Sequence, residues 1–384
     1  MLFSDADHAF MAEAISLAAK GCFTTDPNPN VGAVIVKDQQ IIGRGYHQQA
    51  GQGHAEVHAL AEAGMLAQGA TCYVTLEPCA HYGRTPPCAA ALVKAGVARV
   101  VIAMLDPNPL VAGKGVTILE AAGIEVQTGL LETAARALNP GFLSRMERQR
   151  PFIRLKMAAS LDGRTALANG QSQWLTSSEA RSDVQLFRAQ SSVILSTAAT
   201  VLADAARLTV RQVDHNTITP LQNGELRQPL RVILDRQQRL TGAEPLFSQG
   251  GAILICYAKG QSARPFSKTA VPVEQLALAV NEHDKLDLPT LIAELTLRQV
   301  NSIWTEAGST LAGELIRQQL VDELFLYQAP LLLGEAAQPL TKLGDYQRLA
   351  DVPRLQIQDV VTVGPDLRIR ATIAATSVGL AKEH

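Results

Sequence analysis

Short apolar strand candidates alternate with helical segments twice along this 384-residue chain, and that alternation constrains its fold more than any other feature. In the first run, a helical pattern over residues 10–19 leads to the turn-forming Thr25-Asp26-Pro27-Asn28-Pro29-Asn30. Strand candidates 31–36 and 40–46 then read as a hairpin across Lys37-Asp38-Gln39. Helical segments near 55–67, 87–95 and 115–122 alternate with strand candidates 72–76, 99–104 and 124–128, which calls for a sheet with parallel crossovers covered by helices. The pattern lapses at 139–151, where Asn139-Pro140-Gly141 is followed by Arg145, Glu147, Arg148 and Arg150. A domain boundary is expected there, dividing the chain into 1–147 and 148–384. A second α/β series follows, with strand candidates at 152–158, 192–195, 230–234, 252–256, 302–304 and 324–327. The interval 214–228 is polar and turn-rich, and 259–287 is ambiguous, so both read as loop or edge structure. The apolar stretch 324–333 suits either the core or a dimer interface, so a homodimer or higher homo-oligomer is compatible with the sequence.

Composition narrows the function classes. Lys+Arg 34 against Asp+Glu 36 leaves a net charge of −2 with no long one-signed stretch, which argues against nucleic acid as the partner. Asp5, Asp7 and Glu13 near the N-terminus are the opposite of a cationic export signal. The longest uncharged run, 189–203, is broken by Gln, Ser and Thr, so no membrane span is expected. A cytoplasmic enzyme acting on a small molecule is the expected class. Five cysteines, an odd number, favour metal ligation or burial over a disulfide framework.

The densest chemical signal is His54-Ala55-Glu56 followed by Glu77-Pro78-Cys79 and Cys88. One imidazole and two thiolates are a common donor set for tetrahedral Zn²⁺, and three protein ligands leave the fourth position to water. A helix beginning near His54 would hold that residue on the metal while Glu56 enters the pocket as a proton carrier. Alone, His-x-Glu is more often a solvated helix face and Pro-Cys more often packing. Together, with a strand delivering Cys79 to the carboxyl edge of a sheet, they favour a catalytic site. A closed structural zinc remains the alternative, with Cys72, His58 or His81 as fourth ligand.

These residues resemble the zinc-dependent cytidine-deaminase superfamily, although eight residues separate Cys79 from Cys88 where two are usual. The stretch Thr75-Leu76-Glu77-Pro78-Cys79-Ala80-His81-Tyr82-Gly83-Arg84-Thr85-Pro86-Pro87-Cys88 is similar to the deaminase half of the bifunctional riboflavin-biosynthesis deaminase/reductase family. So are Asn28-Pro29-Asn30-Val31-Gly32-Ala33-Val34 and Ala50-Gly51-Gln52-Gly53-His54-Ala55-Glu56-Val57. The resemblance implies hydrolysis of the exocyclic 2-amino group of a diaminopyrimidinone ribosylamino 5′-phosphate, with His54, Cys79 and Cys88 on zinc and Glu56 catalytic. His81 and Arg84, beside the flexible Gly83, are candidates for the phosphate or ribose. Asn28 is a candidate for orienting the ring, or simply a turn residue between two prolines.

From 152 onward, four segments stand out: 155–164, a strand running into a polar turn; 170–176, ahead of a helix that Thr176 would cap with Glu179 three residues on; 199–211; and Thr305-Glu306-Ala307-Gly308-Ser309-Thr310-Leu311-Ala312-Gly313. A strand, a glycine turn and a helix start suit a cofactor phosphate, yet no Gly-x-Gly-x-x-Gly follows an early strand, which disfavours a Rossmann domain. The four segments also resemble the bifunctional family, whose second half has a dihydrofolate-reductase-like fold and uses NADPH. Carried over, the resemblance implies NADPH contacts at Ala158, Trp174, Thr200, Asp204, Gly308, Ser309 and Thr310. It implies substrate contacts at Ser172, Arg188, Leu208, Arg211 and Glu306. Arg188 and Arg211 suit bidentate bonds to phosphate, although an Arg188 paired with Asp183 or Glu179 on a helix surface is the plainer expectation.

Two positions depart from the family's pattern. Ala205-Ala206 stand where it commonly has Asp-Pro, and Ser309 stands where proline is usual. The expected architecture is thus α/β, a cytidine-deaminase-like zinc domain followed by a dihydrofolate-reductase-like domain. The rivals are a nucleic-acid deaminase with a non-reducing binding domain and a zinc-stabilised scaffold.

Overall fold

The computed structural model describes residues 3–80, 87–108, 111–212 and 217–373. The chain forms two compact units, one of Met1–Pro151 with Thr219–Arg227, the other of Phe152–Ile218 with Gln228–His384. The first unit therefore takes in a short stretch from the turn-rich interval 214–228 as well as the N-terminal residues.

In the first unit the strands are β1 (Gly32–Lys37), β2 (Gln40–Tyr46), β3 (Thr71–Val74), β4 (Arg99–Ile102) and β5 (Glu125–Thr128), in the order β2-β1-β3-β4-β5. β1 pairs antiparallel with β2 and β3, while β3, β4 and β5 run parallel. Successive side chains leave opposite faces of a strand, so Val34 and Val36 pack with Met11 and Leu17 of α1 (Asp5–Ala19), while Ala33 and Ile35 face Ala59 of α2 (Ala55–Ala63). α3 (Cys88–Ala95) and α4 (Lys114–Ala121) contribute Leu92 and Leu119 to that second core. The seating of α2 on β2 leaves no room for side chains at Gly43 and Gly45. A Cβ on either would lie 2.2 Å from the Ala59 carbonyl or 2.1 Å from the Ala55 carbonyl. The lapse at 139–151 is a helix: after α5 (Glu132–Ala137), Pro140–Arg148 forms α6. Its Pro140 sits in the first turn, where a missing N–H costs nothing, and Arg145 and Arg148 sit in the last, where cations oppose the helix dipole.

The second unit is built on a nine-stranded sheet of order β11-β10-β9-β8-β12-β6-β13-β16-β15. Its members are β6 (Phe152–Ser160), β8 (Val193–Thr197), β9 (Leu230–Leu234), β10 (Ile253–Ala258), β11 (Val273–Leu278), β12 (Ser302–Glu306), β13 (Glu323–Ala329), β15 (Leu355–Val363) and β16 (Asp366–Ile373). A separate ribbon pairs β7 (Arg164–Ala166) with β14 (Gln338–Pro339). Neighbours from β11 through β13 are parallel, and β16 and β15 extend the sheet antiparallel. One face carries Ile153, Leu155 and Met157 of β6 with apolar residues of α9 (Leu288–Leu297) and α10 (Ser309–Arg317). On the other, Trp304 and Phe325 meet Val184 of α7 (Ser178–Gln190), and Ile194 meets Val201 of α8 (Ala198–Asp204).

Several expectations shift. The ambiguous interval 259–287 holds β11, and the strand pair β15/β16 lies outside the strand candidates of the sequence. Ser177, not Thr176, caps α7, accepting from the Ala180 N–H at 3.2 Å. β13 lies between β6 and β16, inside the sheet, while Leu331 and Leu332 beyond it are exposed.

Two candidate active sites

The first site gathers where β3 ends and two helices begin. His54 is the N-cap of α2 with an extended backbone, and its ring makes no side-chain cap bond. Cys79 follows β3, and Cys88 opens α3. His54 Nδ1 lies 3.6 Å from Cys79 Sγ and 3.3 Å from Cys88 Sγ, with all three ligand atoms within 4.8 Å of one another. Tetrahedral bonds of about 2.0–2.3 Å to nitrogen and sulfur place ligand atoms about 3.6 Å apart, so the donor set and its spacing fit zinc. Cys72 and His58 do not join the cluster among the described residues, and His81, Gly83 and Arg84 lie outside them.

The two thiols and the imidazole interact strongly. The Cys79 thiol is held well below the usual thiol range, chiefly by the hydrogen bond from Cys88 and then by that from His54. Cys88 is pushed up by the same bond to Cys79 and by burial, and His54 is raised by Cys79. A dication would stabilise both thiolates together. Glu56 is 3% exposed, and burial pushes its carboxyl up to about 7.

Asn28 is tied to the site through His47. The buried His47 has Nδ1 3.0 Å from the Gly53 carbonyl and Nε2 3.0 Å from Asn28 Nδ2. Burial lowers its pKa, so the neutral ring donates from Nδ1 and accepts at Nε2. Its ring meets that of His54 edge-on at 5.4 Å between centroids. Glu77 had no role assigned from sequence, yet its buried carboxylate accepts from the N–H groups of Asp106, Gly113, Gly115 and Val116 at 2.9–3.4 Å. It thereby fixes the loop after β4 and the start of α4. Nothing local in Glu77-Pro78-Cys79 signals partners so far along the chain.

The second site lies where β6, β8 and β12 end. Arg188 does not pair with Asp183 or Glu179. Its Nε and Nη2 donate to the two oxygens of Glu306 at 2.5 and 2.8 Å, and its Nη1 to the Thr209 carbonyl at 3.0 Å. Asp183 instead accepts from Tyr327 and Arg368. The fork that suits a phosphate therefore grips a carboxylate. Glu306 also accepts from Trp304 Nε1. Burial favours its neutral form, but Arg188 outweighs that and holds the carboxyl down to about 2. Lys156 lies opposite Glu306 in the β6/β12 register, its pKa lowered by burial. Sequence reasoning missed it, and the one available signal was a lysine between Leu155 and Met157 in a central strand.

Arg211 is exposed, and the arginines 181, 188 and 207 add to burial in lowering its pKa, which marks a cationic cluster. Buried Leu208 holds a left-handed backbone, φ 54°. Ser172 Oγ donates to Asp204 at 3.1 Å, and Trp174 is 68% exposed with the Arg181 guanidinium 4.4 Å above its ring. Ala158 is half-buried on β6, opposite Tyr327, and the Thr200 N–H is capped by Thr197 Oγ1. Gly308 is the N-cap of α10, with no side-chain cap over the N–H groups of Ser309 and Thr310. Ala205, one of the departures, ends α8 in the left-handed region at φ 49°.

A family model described as the RibD C-terminal domain matches residues 151–369, and one for the cytidine and deoxycytidylate deaminase zinc-binding region matches 4–104. The riboflavin biosynthesis protein RibD of Escherichia coli is 52% identical over 366 residues, which cover 94% of this chain and 98% of that protein. This chain belongs to the RibD family. RibD of Haemophilus influenzae is 49% identical over 96% of the chain and 98% of its own length. Among solved structures, Acinetobacter baumannii RibD is similar with a TM-score of 0.87 and 45% identity, covering 96% of this chain and 99% of that one. A Thermotoga maritima deaminase/reductase gives 0.82 and 32% at the same coverage.

As a RibD, the chain is a bifunctional deaminase and reductase of riboflavin biosynthesis that uses zinc and NADPH. The RibD C-terminal match removes the polynucleotide-binding reading of the second half. No helix of the described residues is long and apolar enough to cross a membrane.

Proposed function

We propose that the first unit hydrolyses the exocyclic 2-amino group of 2,5-diamino-6-ribosylamino-4(3H)-pyrimidinone 5′-phosphate. The second unit then reduces the ribosyl group of 5-amino-6-(5-phosphoribosylamino)uracil to ribityl with NADPH. The observation that carries the reading is the buried carboxyl of Glu56, two residues from His54 in a cluster spaced for zinc. Zinc, when bound, supplies the Lewis acidity that makes water a nucleophile near neutral pH. Glu56 does the proton work. It takes a proton from the attacking water and returns it to the amino nitrogen, so that a C–O bond replaces the C–N bond and ammonia leaves. Asn28, steadied by His47, orients the ring, and His81 and Arg84 take the phosphate end.

In the second unit, Arg211 and its neighbouring arginines attract the substrate phosphate, with Arg188 acting through Glu306. Ser172, Leu208 and Glu306 complete the substrate side. Ala158, Trp174, Thr200 and Asp204 hold NADPH, with the α10 start at Gly308, Ser309 and Thr310 facing its phosphate. In sequence the deaminase domain runs over 1–147 and the reductase domain over 148–384, apart from residues 219–227, which belong in space to the first unit; both work in the cytoplasm. The edge strand β15, with Leu355, Ile357 and Val360 more than half exposed, supports a homodimer, which light scattering checks.

The test is ammonia release from the diaminopyrimidinone phosphate, followed by NADPH oxidation on the deaminated product. Deamination of a polynucleotide base with no turnover of the pyrimidine phosphate would overturn the reading.

A further inference from the structure

The stretch Thr219–Arg227 interrupts the second unit in sequence and belongs to the first in space. It touches both loops that lead into the deaminase site. At one end, the Arg227 side chain is 15% exposed. Its Nε donates to the Phe23 carbonyl at 3.1 Å, and its Nη1 lies 3.4 Å from the Asp26 carboxylate. At the other end, the Gln222 backbone N–H donates to Gln49 Oε1 at 3.0 Å and its side-chain amide to Gln52 Oε1 at 2.7 Å. Gln49 and Gln52 lie between His47 and the zinc-spaced His54. The two loops are joined directly as well, by Thr24 Oγ1 to the Gln48 carbonyl and by the Ala50 N–H to the Thr24 carbonyl.

The loop that carries Asn28 is held from its far side too. The Asn30 N–H donates to Asn139 Oδ1 at 2.7 Å, and Asn139 Nδ2 donates back to the Asn30 carbonyl at 2.9 Å. Asn28 thus sits between two fastenings, one at Asn30 and one at Phe23 and Asp26. Only the second comes from residues 219–227. The charge that Arg227 brings is matched to Asp26, which also interacts with Arg145.

We propose that Arg227 is a positioning residue of the deaminase site, and that residues 219–227 form a strap which sets Asn28 and His47 against the pyrimidine ring. The strap touches no reacting atom. It acts by fixing two loops, so its loss shows first in substrate binding. This inference rests on the reading in which Asn28 faces the pyrimidine.

The test uses the full-length, zinc-loaded enzyme. Arg227→Ala is expected to raise the deaminase KM between about tenfold and a hundredfold, the range set by small misplacements of orienting groups. Zinc content, and NADPH oxidation on the deaminated product, stay at the wild-type level. Arg227→Lys recovers part of the loss, since it keeps a charge towards Asp26 but lacks the fork that also reaches the Phe23 carbonyl. Amide hydrogen exchange over residues 23–30 and 47–53 rises in Arg227→Ala, with or without substrate. Unchanged exchange and unchanged KM overturn the strap, as does loss of zinc with kcat falling at constant KM. A wild-type enzyme that releases no ammonia, while exchange still responds to Arg227→Ala, overturns the functional reading and leaves the strap standing.

Discussion

Glu56→Gln replaces a buried carboxyl by an amide of the same shape, leaving α2 and the three donor residues as they are. The amide cannot carry a proton from water to the departing nitrogen. General acid–base groups contribute about 10²–10⁴-fold. One carboxyl here serves both transfers, so the loss is expected at the upper end, about 10⁴-fold or about 5 kcal/mol of barrier at 1.36 kcal/mol per decade. Ammonia release reads the loss, zinc content checks that the ligands survive, and NADPH oxidation on the deaminated product serves as an internal control.

The same variant reports on burial. In zinc-stripped protein the Glu56 carboxyl is raised from 4.5 to about 7 by burial. The folded form therefore keeps a proton that the unfolded chain gives up across that interval. Folding stability falls as pH rises from 4.5 to about 7, by up to about 3 kcal/mol. Gln has no such dependence, so the variant gains on wild type by that amount between pH 4.5 and 7.5 in urea unfolding. Ammonia release within tenfold of wild type would refute the proton role. A stability difference flat across this window would refute burial as the cause of the raised carboxyl.

Cys88→Ser is expected to lower zinc occupancy sharply in elemental analysis, because a hydroxyl is a poor zinc donor; full retention would pass the role to another thiol, Cys72 first. Glu306→Ala strands Arg188, since the pair is only 12% and 13% exposed. It should cost about 3 kcal/mol in urea unfolding and abolish NADPH oxidation while ammonia release persists; a cost under about 1 kcal/mol would refute a tightly held pair. Ala205→Gly relieves a left-handed alanine and should raise stability by about 1 kcal/mol. No rise in Tm would mean that the α8 end adopts another conformation in solution.

The parts of the molecule legible in sequence are those whose signal is local. His54-Ala55-Glu56, Glu77-Pro78-Cys79 and Cys88 are short motifs of recognisable donor chemistry within about 35 residues of chain, and the hairpin and crossovers of the first sheet follow side-chain periodicity. Asn139-Pro140-Gly141 reads as a break because it contains helix breakers, whereas at a first turn the same residues begin a helix. β15 escaped because strands are recognised by a buried face, and this edge strand is exposed along most of its length. The partners of Glu77, the Arg188–Glu306 pair and the Arg227–Asp26 contact span up to 201 residues, and only folding brings them together.

β6 is the first strand of its unit to leave the ribosome, yet its place is in the middle of the sheet, between β12 and β13. Those neighbours are made some 150 residues later. At about 5–20 residues per second, β6 waits roughly 8–30 s for the edges it pairs with. During that time Ile153, Leu155 and Met157 have no sheet to bury them. A chain wired in this way has high contact order and folds slowly. The second half is therefore expected to be the half that aggregates when synthesis outruns chaperone supply, and slower translation or a lower growth temperature should raise the soluble yield of the whole enzyme.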